Sequence, residues 1–355
     1  MTEDAPQEIR WGMIGCGDVA EVKSGPGFQK ARGSRLVAVM RRSPDRARDY
    51  ASRHGVPRWY ADAEELIHDP EVDAVYIATP PGSHRDYALE VCAAGKPAYV
   101  EKPMARNRTE CQQMVDAFRA RQIPLFVAYY RRALPRFLFA RQLLVEGQLG
   151  TVTQISYRYD RPAWPDLAPQ ALPWRLDAAE AGGGLFFDVG SHALDIIDFL
   201  FGPLCDVAGV AENRGGAYDV EDNVAMSFRS EDGIPGVASW NFCSSFERDI
   251  LEVTGTSGRL SLSVFGNDPV RQEAVGHSVR ETVLPNPEHI QQPMIQSIVD
   301  TLLGKGECAS TGESAARTAA VMDQAVTGYY GDRSGPFWEN PENWPSRNSQ
   351  ARRNE

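Results

Sequence analysis

The chain has 355 residues, 42% apolar and 9% aromatic, enough for two globular domains with separate cores. Its 37 basic and 48 acidic side chains leave a formal charge of -11, which argues against a nucleic-acid partner because phosphate binding needs a basic face. No run approaches the roughly 20 apolar residues of a membrane span, and Met1–Glu8 is polar and acidic, unlike a secretion signal.

In chain order, a strand over Ile9–Ile14 runs directly into Gly15-Cys16-Gly17-Asp18-Val19-Ala20, a G-x-G-x-x-A pattern that opens a dinucleotide-binding βαβ unit. Gly15 permits the tight turn, Gly17 lets the backbone approach a pyrophosphate, and Ala20 lets the following helix pack close to the sheet with its N-terminus toward the phosphates. The second strand, Leu36–Met40, ends in Arg41-Arg42-Ser43, where an NAD-binding chain would carry a carboxylate for the ribose hydroxyls. Two guanidiniums and a hydroxyl suit a 2′-phosphate, so NADP(H) is preferred over NAD(H). The alternative is that both arginines solvate a loop and Asp45 reaches the ribose.

Strands at Ala74–Ala78, Ala98–Val100 and Pro124–Val127 alternate with helices at Ala61–His68, Ser83–Ala94 and Arg108–Arg121, the pattern of a parallel sheet with helices on both faces. Ligands of such sheets bind at the carboxyl ends of the strands. Thr79-Pro80-Pro81, Glu101-Lys102-Pro103 and Tyr129-Tyr130-Arg131-Arg132 all stand at those ends, so one crevice is expected to collect them. The predicted cofactor side is Gly15, Gly17, Asp18, Val19, Ala20, Arg41, Arg42, Ser43, Thr79, Pro80, Pro81, His84 and Glu101. His84 either shapes the nicotinamide pocket with the prolines or caps a helix. Lys102, at a strand end and before a proline whose peptide bond can be cis, can lower its pKa in a desolvated cleft or donate to an alkoxide.

Beyond residue 150 the runs Thr151–Tyr159, Asp206–Ala211, Asn223–Arg229, Gly236–Phe242 and Ile250–Val264 describe a largely antiparallel sheet. A long stretch from Asp160 to Asp177 carries Arg161, Trp164, Trp174 and Arg175. An indole face suits the C–H side of a sugar ring, and Arg suits its hydroxyls or an acidic group. After Gly182-Gly183-Gly184, a sharp turn or a place for close ligand approach, Asp188, His192 and Asp195 fall on one face of a helix, so that a carboxylate can orient the imidazole. The same three residues admit a metal site or a structural helix start, and no metal is expected. Helices follow over His289–Leu303 and Glu313–Tyr330, and the last residues read as a frayed tail. The six cysteines, at 16, 92, 111, 205, 243 and 308, form no C-x-x-C pair, so a reducing, cytoplasmic compartment and no structural zinc are expected.

Taken together, G-C-G-D-V-A at 15–20, T-P-P-x-x-H at 79–84, E-K-P at 101–103 and G-G-G-x-x-x-D-x-G-x-H-x-x-D at 182–195 resemble the Gfo/Idh/MocA oxidoreductases, the glucose-fructose oxidoreductase and inositol dehydrogenase group, from about Arg10 to Tyr330. The resemblance implies an α/β protein. It would have an N-terminal Rossmann doubly wound parallel sheet (1–128), a C-terminal α+β domain with a large, mostly antiparallel open sheet (129–330) that makes a homodimer or homotetramer contact, and a tail (331–355). It implies Lys102 as the catalytic lysine, with Asp188 and His192 as its partners, and Tyr130 and Arg131 near the substrate; Asp195, Arg161, Trp164, Trp174 and Arg175 complete the expected substrate side. The implied reaction is reversible hydride transfer between nicotinamide and a secondary alcohol or ketone of a sugar or cyclic polyol. Lys102 and His192 are interchangeable as the proton-transfer group. Two rival readings are a glycosidase that oxidises transiently with tightly held NAD and a cofactor-sensing regulator; the presence of both Lys102 and His192 speaks against the regulator.

Overall fold

The computed structural model describes residues 8–17, 20–163 and 172–347. The chain forms two compact units: Met1–Ala105, Glu110–Leu134 and Asn286–Ala315 make the first, and Arg106–Thr109, Pro135–Pro285 and Ala316–Glu355 the second.

The first unit is built on six parallel strands, β1 Ile9–Ile14, β2 Ser34–Met40, β3 Arg58–Tyr60, β4 Ala74–Ile77, β5 Ala98–Val100 and β6 Leu125–Val127, in the order β3-β2-β1-β4-β5-β6. Leu36, Val37, Ala38 and Val39 on β2, and all four residues of β4, are buried on both faces, as expected of a parallel sheet sandwiched by helices. The strand order reverses between β1 and β4, the switch point where such sheets hold ligands. Sequence periodicity misses β3 and the helix Pro44–His54. The strand has three residues, and the helix is mostly charged, with only Ala47, Tyr50 and Ala51 buried.

One expectation is corrected at the first crossover. Instead of entering a regular α-helix, the chain makes a wide π-type turn at Ala20–Ser24 before the short helix Gly25–Lys30. Gly25 and Gly27 are weak helix formers, and the Tyr50 hydroxyl donates to the Ala20 carbonyl at 3.1 Å.

The second unit carries eight strands: β7 Val152–Asp160, β8 Leu204–Glu212, β9 Asn223–Ser230, β10 Pro235–Asn241, β11 Arg248–Gly255, β12 Gly258–Leu262, β13 Val270–Ala274 and β14 Arg280–Thr282. Their order is β14-β13-β12-β11-β7-β10-β9-β8, antiparallel except for the parallel pair of β7 with β10. On β9 buried and exposed residues alternate strictly, so one face is covered and the other open. The covered face receives the helix Ser191–Phe201 and the turn before it, where Phe186 meets Trp240 of β10 edge-on at 4.8 Å.

The tail does not fray over its described part. Gly331 turns the chain back, Arg333 and Trp344 are each only 3% exposed, and Trp344 packs edge-on against Tyr330 at 4.6 Å. Its aromatic residues, spaced among polar ones, lack the period of a helix or strand, so the sequence gives no sign of this packing. The expected helix Glu313–Tyr330 is also interrupted, into Gly312–Ala325 and Thr327–Tyr330. Among the described residues no helix is long and apolar enough to cross a membrane.

Candidate active site

At the switch point of the first sheet lies a crevice of about 360 Å³ lined by Gly15, Gly17, Arg41, Arg42, Ser43, Arg46, Thr79, Pro80 and Tyr87, with Met40 and Ala78 at its base. Gly15 has φ +89°, and a Cβ there would stand 2.9 Å from the Ala78 carbonyl oxygen, so only glycine makes this turn without strain. Gly17 is the opposite case. Among the described residues a Cβ on it would meet nothing nearer than the Gly15 oxygen, at an ordinary contact distance of 3.9 Å, so none of them crowds the approach a pyrophosphate needs. The residues present therefore fit a dinucleotide. Asp18 and Val19, expected to complete the loop, lie outside the described residues, and the buried Ala20 follows them.

The loop after β2 and the helix Pro44–His54 supply three arginines and a hydroxyl, and no carboxylate lines the crevice among the described residues. Arg41 donates to the Cys16 carbonyl at 3.3 Å, which places its guanidinium over the glycine loop. Asp45 does not line the crevice; it is almost fully exposed and faces Arg48 at 3.7 Å. Sequence reasoning missed Arg46 and Tyr87. Arg46 sits three residues beyond Ser43 in the unforeseen helix Pro44–His54, and Tyr87 three residues beyond His84, so each follows once its helix is known. Burial pushes the Cys16 thiol up to about 11, which keeps it protonated and unreactive at neutral pH.

The loops after β4 and β5 are tied together by His84. This imidazole is fully enclosed, with Nε2 2.7 Å from the Thr79 carbonyl and Nδ1 3.1 Å from the Pro103 carbonyl. Burial holds its pKa below the usual imidazole range, against the pull of those carbonyls and of Glu101. His84 thus shapes the crevice through Thr79 and Pro103 without surface of its own to offer a ligand. Pro81 is likewise buried in the turn Pro81–Ser83.

Glu101 is also turned inward. Its Oε1 accepts from the Tyr76 hydroxyl at 2.6 Å and from Gln291 Nε2 at 2.7 Å, and its Oε2 accepts from the Lys102 main-chain N–H at 3.1 Å. It fixes the Lys102-Pro103 turn, whose peptide bond is cis, from beneath. Tyr130 and Arg131 open the turn after β6 and are each 6% exposed, with the guanidinium 5.0 Å from the Tyr130 ring centre.

The second unit carries the other half of the expected chemistry. The turn Phe186–Gly190 and the helix Ser191–Phe201 present Asp188 and then His192. Arg175 Nε donates to Asp188 Oδ2 at 3.1 Å while its guanidinium lies 4.4 Å over the Trp174 ring. Arg175, expected on the substrate side, is thus held by Asp188 and by the Trp174 ring. His192 is 4% exposed, and the Phe265 ring stands edge-on to it at 5.8 Å. Asp195 is completely buried and offers no surface to a ligand. Arg161 continues the β7–β10 pairing through its N–H to Asn241 and turns its side chain toward the Pro162 carbonyl. Trp164 lies outside the described residues.

A six-stranded Rossmann sheet with a glycine turn at its switch point, in a chain whose second unit is built on a large open sheet, defines the class: a protein with a dinucleotide-binding fold. Residues 9–129 match the family model described as "Oxidoreductase family, NAD-binding Rossmann fold", and residues 137–261 match the GFO/IDH/MocA C-terminal domain. "Oxidoreductase P35" of Formosa agariphila is 37% identical over 319 residues, 89% of this chain and 97% of that protein. The 1,5-anhydro-D-fructose reductase of Ensifer adhaerens is 30% identical over 327 residues, 90% of this chain and 97% of that protein. Levoglucosan dehydrogenase in complex with NADH and levoglucosan superposes with a TM-score of 0.81 at 22% identity, over 90% of this chain and 96% of that one, which shows a shared fold. The chain belongs to the Gfo/Idh/MocA family of oxidoreductases.

Proposed function

We propose that this chain is an NADP(H)-dependent oxidoreductase that moves a hydride between nicotinamide and a secondary alcohol or ketone of a sugar or cyclic polyol. The single observation that carries the cofactor choice is the rim of Arg41, Arg42, Ser43 and Arg46 that follows β2, with Asp45 turned to Arg48. A 2′-phosphate is well served by charge-assisted donors, whereas a ribose hydroxyl pair gains most from a carboxylate. The names of the reductase and of levoglucosan dehydrogenase, both acting on cyclic sugar derivatives, support the substrate class.

When bound, the nucleotide supplies hydride exchange; the protein's part is binding and proton handling. Gly15 and Gly17 hold the pyrophosphate, and the arginine rim holds the 2′-phosphate. In the oxidation direction His192 takes the hydroxyl proton, with Asp188, itself held by Arg175, orienting the ring or a neighbouring hydroxyl. Lys102, fixed at its main chain by Glu101, stabilises the developing alkoxide. Tyr130, Arg131, Trp174 and Arg161 belong to the substrate side of this reading. The same reading has the protein work in the cytoplasm as a homodimer or homotetramer joined through the open face of the second sheet.

The test is thermal melting with NADP, NADPH, NAD and NADH, followed by an absorbance screen at the nicotinamide band against sugars, keto-sugars and inositols. Stabilisation by NADP(H) above NAD(H), with turnover of a cyclic sugar, is the expected result. Equal or greater stabilisation by NAD(H) would overturn the cofactor assignment.

A further inference from the structure

Glu221 is the most deeply buried carboxylate of the second unit outside the expected site, fully enclosed in the segment leading into β9. Nothing in the proposed chemistry uses it. Burying a carboxylate is costly unless several donors meet it, so its partners indicate what it holds.

The Gly184 main-chain N–H donates to both of its oxygens, at 2.8 and 3.0 Å, and the Tyr330 hydroxyl donates to Oε2. The contact with Gly184 leaves no room for any side chain: a Cβ at that position would stand 2.4 Å from the Glu221 main-chain oxygen and 2.9 Å from Oε2. Gly184 in turn starts the turn that carries the reactive residues, because the Phe187 N–H donates to the Gly184 carbonyl at 3.1 Å and Asp188 is the next residue.

A second pin acts on Phe187 itself. The Arg333 guanidinium lies 4.2 Å over its ring and 5.0 Å over that of Tyr330, the residue that also holds Glu221. Arg333 is fixed by Asp323 at 2.7 Å and by the Arg106 carbonyl at 2.8 Å. All of these groups lie within the second unit.

We propose that Glu221, with Tyr330, is a positioning residue for the reaction: by gripping Gly184 it sets the start of the Phe186–Gly190 turn, and through it the placement of Asp188 and His192. The glycine at 184 is then present so that a protein carboxylate can close on its backbone. The segment just after Gly331 contributes Arg333 to the same grip.

This inference rests on the proposed roles of Asp188 and His192, so its test needs a readout apart from turnover. The variants Glu221→Gln, Glu221→Ala and Tyr330→Phe are made in the full-length protein labelled at the histidine rings. The His192 ring resonances are assigned by their loss in His192→Asn, with His54 and His84 of the first unit as internal references. We expect the His192 signals to move or broaden in Glu221→Ala and Tyr330→Phe, less so in Glu221→Gln, while those of His54 and His84 stay in place. In turnover we expect kcat to fall by roughly 10- to 100-fold in Glu221→Ala with KM for the nucleotide unchanged, as for a small misplacement of reacting groups.

Unchanged His192 signals in a folded Glu221→Ala or Tyr330→Phe protein would overturn the proposal, as would a lowered melting temperature with kcat intact. If Glu221→Ala does not fold, Tyr330→Phe decides. Absence of turnover in the parent protein with every sugar would count against the proposed function, while the ring signals would still decide the role of Glu221.

Discussion

Arg41 and Arg42 stand where a carboxylate would select NAD, and the crevice gathers them with Ser43 and Arg46. A guanidinium bonded to a phosphate contributes more than one beside a hydroxyl, because hydrogen bonds to charged groups are worth about 1.5–3 kcal/mol. Replacing both residues, Arg41→Ala with Arg42→Ala, should weaken NADPH by roughly tenfold or more while leaving NADH within a few-fold, measured by fluorescence titration. Equal losses for both nucleotides would mean that the arginines act on the shared pyrophosphate alone. Lys102→Met and His192→Asn should each lower kcat by roughly 10²- to 10⁴-fold with nucleotide affinity unchanged, the scale of a lost proton-transfer or charge-stabilising group. A rate-against-pH profile separates them: the ionisation limb of the proton acceptor should vanish in His192→Asn and persist in Lys102→Met.

Among the elements, the turn at 182–190 and its support carry Asp188 and lead into His192, the proposed reactive pair. Gly184→Ala would force a methyl against the Glu221 main chain, which cannot yield as a flexible side chain would. We expect a cost of about 1–3 kcal/mol, read as a lower melting temperature. Glu221 also links this element to pH. Burial raises its pKa from 4.5 to about 7, partly offset by the Tyr330 hydroxyl, the Gly184 N–H and the charge of Arg333; Tyr218 and Tyr329 lie close enough to feel its charge. A carboxyl raised in the folded state favours the fold fully below its unfolded pKa, and this contribution is lost as pH rises from 4.5 through about 7. Glu221→Gln lacks that loss. The melting temperature of the parent protein relative to Glu221→Gln should therefore fall between pH 5 and pH 8, and a constant difference would contradict the buried ionisation.

Every strand of the first sheet except the short, half-exposed β3 was legible, with the motif residues at the strand ends, because buried parallel strands are continuous apolar runs. The helix Pro44–His54 was not, since its buried stripe is three residues wide. Glu221 was invisible for another reason: standing between Asp219 and Asp222 just before a strand, it reads as part of a solvated acidic turn, and only the fold brings it to Gly184. The motifs pick out His84 and Glu101, yet their contacts are with the protein's own groups, which sequence cannot distinguish from contacts with a ligand.

For the whole molecule, the open face of the second sheet exposes Val210 at 65% and Val237 at 48%, beside a shallow groove whose lining is mostly apolar. Contiguous apolar surface of this kind is commonly covered by a partner. If the protein associates through this face, Val237→Glu should shift it toward the monomer in sedimentation velocity, and an unaltered oligomer would place the contact elsewhere. The most direct test of the central claim is the nicotinamide absorbance of the purified protein, mixed in turn with NADP and cyclic sugars or polyols and with NADPH and the corresponding ketones. Turnover with NADP(H) that Lys102→Ala abolishes is the result this account expects. Consumption of glycosides with no absorbance change, by a protein from which NAD cannot be washed out, would contradict it.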